Sequence, residues 1–578
     1  MKHKNLLLTI TLTTLILITV TQQIQIYQLQ QNQTINPDNA VSAWLMENYG
    51  VSSIDEIISQ KLKEYGVQYT GNPFTTALYP GQLQAENITG MYWYTYKSGS
   101  LLNRTDVIAN PLQPTKYIIE NASGTIIWKD GINGTVYATG TTPTEATNII
   151  NWALGNLTSG RIWKEKIVLK GDYTITSTIK IPSYTILEIQ GKIFLADNSN
   201  CKTIENSDIN DGNSNIEIIG GIIDGNGDNQ SGAEIEVIHL QNVTKFIIAN
   251  VHVMNALHDG YDFDYCQDGK IINCIAQNCG KAGFHPGTQN RRMLFVNCYT
   301  TGCGSEAYGG GGYSLVQTSE DIKFVNCISY NDYYGLRLEG SRIFFQGSII
   351  EPTKHAIYNL DDPAHGCNSA ILVVVCKSIS SPSVDLIYLP RTFNVIFISP
   401  RILVHGSAKA ITGLGSYSQI IGGSIECASR AIEAGSGKEK IIIKGVYINS
   451  GGYYPIDLNG ATNCVVEGCI LVSLASQPLI RNVGQGCIIR NNVGFVTENS
   501  GTATDLADGS YIAHGLAGTP TTVTLTCLNS TYDGVPVIVS WDQQNSNSTH
   551  IAIHIYWSNG TAITDPVIAI SWRAEYQP

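Results

Sequence analysis

From about residue 215 to about residue 490 the chain alternates short apolar runs, roughly four to six residues long, with small polar turns, and the phrase repeats. Its clearest copies are KIINCIAQN (270–278), LFVNCYTTG (294–302) and KFVNCISYN (323–331). Weaker copies continue through IFFQGSIIE, ILVVVCKSI, SQIIGGSIEC, KIIIKGVYIN, NCVVEGCILV and GCIIRNNVGF. No helical period falls between the runs, which removes a βαβ arrangement. Strands this short, with copies starting about 20 to 30 residues apart, suit one winding per repeat of a parallel β-helix rather than a sandwich. The pattern predicts about ten or eleven coils and a rod on the order of 50 Å long.

The two ends break the pattern. Lys2, His3 and Lys4 precede an uncharged apolar stretch from Leu6 to Val20. That stretch reads equally as a signal-peptide core or as an uncleaved membrane anchor, and either places the remaining chain outside the cytoplasm. SSIDEIISQKLKEYG, within 39–66, predicts a helix capped by Ser53, either a stalk or oligomerisation element (a homotrimer is one outcome) or a helix packed on the rod. After residue 498 the strands lengthen into TTVTLTCL, VPVIVSW, THIAIHIYW and PVIAISWRAEY, which predicts a small antiparallel sandwich. The expected division is therefore 1–37 leader or anchor, 38–141 helix and irregular β region, 142–498 β-helix, and 499–578 sandwich.

Composition narrows the function classes. Charged residues are 14% of the chain against 43% hydrophobics, so intrinsic disorder is excluded. A net charge of −12 without a basic cluster excludes nucleic acid as a partner. Beyond the leader no apolar run is long enough for a polytopic membrane protein. Sequons at Asn32, Asn87, Asn103, Asn121, Asn133, Asn156, Asn229, Asn242, Asn529, Asn547 and Asn559 leave 243–528 bare, the pattern of a glycosylated extracellular or surface-held protein with decorated ends. Cys274, Cys298 and Cys327 share one position of the phrase, and Cys279 and Cys303 another. Stacking would make these either buried free thiols filling a small slot, the favoured reading, or disulfides.

The stretch from Thr142 to Val496 resembles the pectate-lyase-like superfamily of right-handed parallel β-helices. The likeness rests on the helical TEATNIINWAL, the strands of RIWKEKIVLKGDYTITSTIKIPSYTILEIQG and the phrase GGIIDGNGD (220–228). DGYDFDY (259–265) and KAGFHPGTQ (281–289) look similar to successive coils of bacterial alginate epimerases, but the Tyr-Gly-Phe-Asp-Pro-His phrase that carries catalysis there is missing. The Asn-Thr-Asp and Gly-His-Gly patterns of polygalacturonases are also missing, and Asp361-Asp362 falls after a strand, in a loop. HGLAGTPTTV (514–523) and AISWRAEYQP (569–578) resemble a C-terminal module of phage and archaeal surface β-helix proteins. The superfamily holds lyases, hydrolases, epimerases and non-enzymatic attachment proteins, so the resemblance implies a fold and no single activity.

The candidate chemistry lies in a column across coils. Aligning each coil on an inward residue (Tyr261, Phe284, Leu315, Leu336, Ile357, Ile411, Ile432, Ile456) puts the next residue outward. The column then reads Asp262, His285, Val316, Arg337, Tyr358, Thr412, Glu433, Asp457, with Asp264 and Glu339 two residues further on. Such a set suits an acidic polysaccharide: His285 or Tyr358 to move a proton, and Arg337 to neutralise a uronate carboxylate. Asp262 and Asp264 would orient His285, bind Ca²⁺ through oxygen, or work as a hydrolase pair about 6.5 Å apart. Tyr299, Tyr308, Tyr313, Tyr333 and Tyr334 are expected to be exposed for sugar stacking, with SEAYGGGGY (305–313) as a groove wall. Two functions follow: a polysaccharide lyase or epimerase, or a tailspike-like adhesin whose rod is a spacer and whose sandwich binds glycan, with Trp541, Trp557 and Trp572 as the candidate sugar-binding residues. Plain solvated surface explains the column with neither.

Overall fold

The computed structural model describes residues 115–578, apart from 317, 361–365, 379–383, 452, 475–478, 529–530 and 533. The leader, the helix expected within 39–66, Asp361-Asp362 and the sequons at Asn32, Asn87, Asn103 and Asn529 lie outside the described residues.

Each coil is built from the repeated phrase. In KIINCIAQN the strand Lys270–Ile272 is followed by Asn273 in the left-handed conformation (φ 53°), then Cys274, then the strand Ile275–Gln277. Asn250, Asn297 and Asn326 take the same conformation in neighbouring coils, with φ of 58°, 53° and 53°. Asn is among the few residues other than Gly that tolerate this region, because its short amide can bond locally. Here the amides also bond to one another. Asn273 Nδ2 donates to Asn250 Oδ1 at 3.1 Å, Asn297 to Asn273 at 3.1 Å, and Asn326 to Asn297 at 2.9 Å. This ladder fixes these four coils directly over one another.

The next strands of successive coils form a separate 13-stranded parallel sheet, running from Ile179–Ile181 to Ile480–Arg481 with one strand per coil. The rod therefore has 13 rungs rather than the ten or eleven expected, and is roughly 60 Å long at about 4.8 Å per rung. The extra rungs begin at Ile179–Ile181 and Ile204–Asn206, upstream of the Asn-Cys phrase that made later coils visible. Inward residues stack in columns: Tyr261 on Phe284 at 4.5 Å, Phe284 on Tyr313 at 5.5 Å, and Phe295 on Phe324 at 4.6 Å between ring centroids. Cys274, Cys298 and Cys327 are free thiols, buried one rung apart.

The rod is closed by the helix Pro143–Gly155, whose Thr142 and Glu145 form a reciprocal capping box and whose Ile149, Ile150 and Leu154 are buried. Upstream of it, Thr115–Ala122 runs parallel to Glu165–Lys170, so the sheet extends above residue 142. Downstream, Glu498–Leu506, Ile568–Glu575 and Thr522–Cys527 form one antiparallel sheet. Tyr511–Ala513, His550–Trp557, Val535–Asp542 and Thr531–Tyr532 form another. Ile551, Ile553, Ile555, Ile568, Ile570 and Trp572 make their shared core. Trp572 is therefore a packing residue, and Trp541 and Trp557 lean on the same core half-buried. No described helix is long and apolar enough to cross a membrane.

Two stability predictions follow from this packing. Asn297→Ala removes both ladder bonds and puts a Cβ-bearing residue without a local amide at positive φ. It should cost about 1–3 kcal/mol in denaturant unfolding, and Asn297→Gly should cost less because the backbone strain is relieved. Asp332 is fully buried, accepting from Thr300 Oγ1 (2.5 Å), Ser329 Oγ (2.6 Å) and the Cys303 amide (2.7 Å). Burial pushes its carboxyl up to about 6. The folded state then holds a proton that the unfolded chain releases near pH 4, so stability should fall as pH rises from about 4 to 6. Asp332→Asn should flatten that slope in melting curves taken across this range.

Candidate functional site

The 13-stranded sheet carries an outward column defined by strand register. From the first rung it reads Lys180, Glu205, His239, Asp262, His285, Ser314, Arg337, Tyr358, Tyr388, Thr412, Glu433, Asp457, Arg481. The expected order of Asp262, His285, Arg337, Tyr358, Thr412, Glu433 and Asp457 matches this register. Val316 does not belong in it. The inward residue of that coil is Tyr313, stacked on Phe284 with its hydroxyl donating to the Cys298 carbonyl at 2.7 Å, so Ser314 takes the outward place. Tyr388, from the coil after Tyr358, was absent from the expected column.

The first rungs form one charged cluster. His285 Nδ1 stands 3.0 Å from Asp262 Oδ1 and 3.2 Å from Asp259 Oδ2. Both are ion contacts. Among the described residues neither His285 Nδ1 nor Asp262 Oδ1 has an aligned hydrogen-bond partner, although both atoms are buried. Asp259, fully buried, is also held by Lys281 Nζ (3.0 Å) and the Ala282 amide (2.9 Å). One rung back, His239 Nε2 lies 3.7 Å from Asp262 Oδ2 and 3.9 Å from Asp264 Oδ2. Its Nδ1 lies 3.0 Å from Glu205 Oε1. Lys202 Nζ is 2.9 Å from that same Nδ1, 3.6 Å from Glu205 and 3.3 Å from Glu236. Lys180 pairs with Glu205 at the outer edge. Asp264 accepts the Thr288 amide through Oδ1 at 2.6 Å, leaving Oδ2 towards His239.

The electrostatics follow from burial opposed by partners. Burial alone would discharge His285, but Asp259 and Asp262 carry its imidazole up to about 10. Burial likewise opposes a charged His239, and Asp264, Glu205 and Asp262 raise it to about 9. Asp259 would be raised by burial, and the His285 and Lys281 charges hold it at about 2. Five carboxylates (Glu205, Glu236, Asp259, Asp262, Asp264) face three ammonium groups (Lys180, Lys202, Lys281), which leaves two negative charges for the imidazoles or another cation to match. Two sets of three groups, His239–Asp262–Asp264 and Asp259–Asp262–His285, each have potential ligand atoms within 4.8 Å of one another. Asp262 and Asp264 are therefore closer, oxygen to oxygen, than the 6.5 Å expected from strand spacing.

Other expected site residues lie elsewhere. Arg337 is two rungs from His285, and its Nε and Nη2 both reach Glu339 Oε1 at 2.7 Å. Glu339 is not on the outer face as expected but fully buried beneath that guanidinium. Tyr313 is not an exposed sugar platform either, being wholly inside the core. Tyr334 is buried and stacked on Tyr358 at 4.4 Å, and Tyr358 stacks in turn near His355 and Tyr388 at 5.1 and 6.1 Å. Tyr299 belongs to a different sheet, and Tyr333 is half-buried with its hydroxyl accepting from Lys354 Nζ at 2.9 Å. Tyr308 is exposed as expected, and its ring meets His258 edge-on at 4.9 Å. The structure thus unites Asp262, Asp264 and His285, and separates Arg337, Tyr358 and Glu339 from them.

Seven participants were missed in the sequence: Lys180, Lys202, Glu205, Glu236, His239, Asp259 and Lys281. His239 was legible: VIHLQ (237–241) has the inward-outward alternation of the next coil. Glu205 follows by the same rule. Asp259 had no such signal, because it precedes its strand and reaches the cluster from a turn.

No known family profile and no curated protein matches the chain. Among solved structures, the A-module of the Azotobacter vinelandii mannuronan C-5 epimerase is 12% identical, covering 60% of this chain and 94% of that one, with a TM-score of 0.40. The tailspike protein of E. coli bacteriophage HK620, solved in complex with pentasaccharide, is 10% identical over 77% of this chain and 92% of its own, with a TM-score of 0.47. The surface adhesin PfbA of Streptococcus pneumoniae is 13% identical over 64% and 92%, with a TM-score of 0.37. The fold assignment rests on the strand register, and no activity is carried across at these identities.

Proposed function

We propose that this protein is an extracellular, surface-held or secreted enzyme that acts on an acidic polysaccharide, with lyase or epimerase chemistry at the outer face of the 13-stranded sheet. The observation that carries this reading is the His285 imidazole set against two carboxylates, on a face where a spacer would need only solvated polar residues. Burying charges costs several kcal/mol per ion, and side chains are held in such surroundings chiefly where protons or charge must be handled. In this reading His285 transfers the proton next to the uronate carboxylate, and Asp259 and Asp262 fix its ring. The polymer lies along the sheet, over the column that continues through Ser314 and Arg337 to the tyrosines. Glycans on Asn121, Asn133, Asn156, Asn229, Asn242, Asn547 and Asn559 would then decorate the molecule around this work face.

A non-catalytic adhesin is the second reading, and one observation favours it. Arg337 and Tyr334 are engaged by Glu339 and Tyr358, so the groups expected to grip substrate are already satisfied.

Alginate, polygalacturonate and glycosaminoglycans, incubated with secreted protein, separate the two. The enzyme reading expects ultraviolet-absorbing unsaturated product, or deuterium uptake at C5 in heavy water, on at least one polymer. His285→Ala should lower that rate by about 10²–10⁴-fold with glycan binding retained. Binding without product or exchange on any uronate polymer would establish the adhesin.

A further inference from the structure

We propose that His239, Asp262 and Asp264 form a binding site for one divalent transition-metal ion of the zinc or manganese class. The inference concerns binding and does not rest on the catalytic reading above.

The separations are the first ground. His239 Nε2 stands 3.7 and 3.9 Å from the Oδ2 atoms of Asp262 and Asp264, too far for hydrogen bonds. Two ligands each about 2.1 Å from a shared metal lie about 3.0–3.4 Å apart at octahedral or tetrahedral angles, so the two His239 separations need to close by only about half an ångström to match one coordination shell, and the three ligand atoms all lie within 4.8 Å of one another. The second ground is the backing of each ligand. Glu205 Oε1 at 3.0 Å, beside the Lys202 ammonium 2.9 Å from the same nitrogen, is placed to take the His239 Nδ1 proton when Nε2 binds a metal; a carboxylate behind a metal-bound histidine has this function. The Thr288 amide occupies Asp264 Oδ1 and aims Oδ2 at the site. The third ground is the state of Asp262, which is 7% exposed. Its Oδ1 stands 3.0 Å from His285 Nδ1 with no aligned hydrogen-bond partner among the described residues, and its Oδ2 faces His239 beyond hydrogen-bond distance. Neither oxygen of this buried carboxylate is tied by a well-formed hydrogen bond, which leaves Oδ2 open to a ligand.

Charge and donor type select the ion. Five carboxylates against three ammonium groups leave two negative charges, which favours a cation here, and a metal on Nε2 would take the place of the His239 proton. The neighbouring set of Asp259, Asp262 and His285 is the poorer site, because Lys281 and the Ala282 amide already occupy both oxygens of Asp259. Ca²⁺, expected from the two aspartates alone, takes oxygen ligands, whereas an imidazole nitrogen with two carboxylates suits zinc or manganese. Three protein ligands leave positions open for water or a sugar carboxylate. That would supply the neutralising cation that Arg337, bound to Glu339, does not present.

Tag-free full-length protein, stripped with a chelator, is titrated with Zn²⁺, Mn²⁺ and Ca²⁺ by calorimetry, and its metal content is measured after dialysis. One equivalent of Zn²⁺ or Mn²⁺ per chain is expected, with Ca²⁺ at least tenfold weaker. His239→Ala and Asp264→Asn should each weaken binding by more than tenfold, and Glu205→Gln by about 10–100-fold. Circular dichroism confirms that each variant is folded, and Asp264→Asn stands in should His239→Ala fail to fold. His285→Ala should keep the metal while losing any turnover, so failure of the catalytic reading leaves this result untouched. Tighter Ca²⁺ than Zn²⁺ or Mn²⁺, no stoichiometric binding, or wild-type affinity in His239→Ala and Asp264→Asn overturns the inference.

Discussion

Everything in this molecule depends on one constraint: each coil must lie in register on the one before it. A shift of one residue would turn every outward side chain of the sheet inward. The Asn250–Asn273–Asn297–Asn326 ladder enforces the register by joining a required left-handed backbone to side-chain bonds between rungs. The inward aromatic columns enforce it again from inside. Because both devices recur through the successive middle coils, residues more than twenty positions apart in the chain become contacts at about 3 Å.

That geometry explains how a chain with few charged residues assembles a dense charged cluster. Glu205, His239, Asp262 and His285 come from four successive rungs of one column. Asp259, Lys281 and Lys202 close it from the turns beside them. The same column changes character further along, where Arg337 is bound by Glu339 and the tyrosines stack on each other. One sheet thus holds an ionic segment followed by an aromatic one, a sequence of surfaces that a long polymer could meet in order.

The rod was legible in the sequence because its two rules, a polar turn and an inward apolar residue, recur in plain view. Legibility failed where a coil departed from the rule. SEAYGGGGY changed the length of its coil, so Leu315 was aligned where Tyr313 belongs. The first rungs lack the Asn-Cys phrase and went uncounted. The site was half legible. Asp262, Asp264 and His285 follow from alternation alone, and His239 would have followed had the alignment begun one coil earlier. Asp259 and the Arg337–Glu339 pair depend on turns folding back over the strand, and strand periodicity says nothing about those.

A crystal structure with a bound uronic-acid oligosaccharide tests the central claim most directly. The account predicts a chain running lengthwise on the 13-stranded sheet, with one sugar ring against His239, Asp262 and His285. An oligosaccharide seated only on the C-terminal sheets, with that cluster untouched, would contradict it.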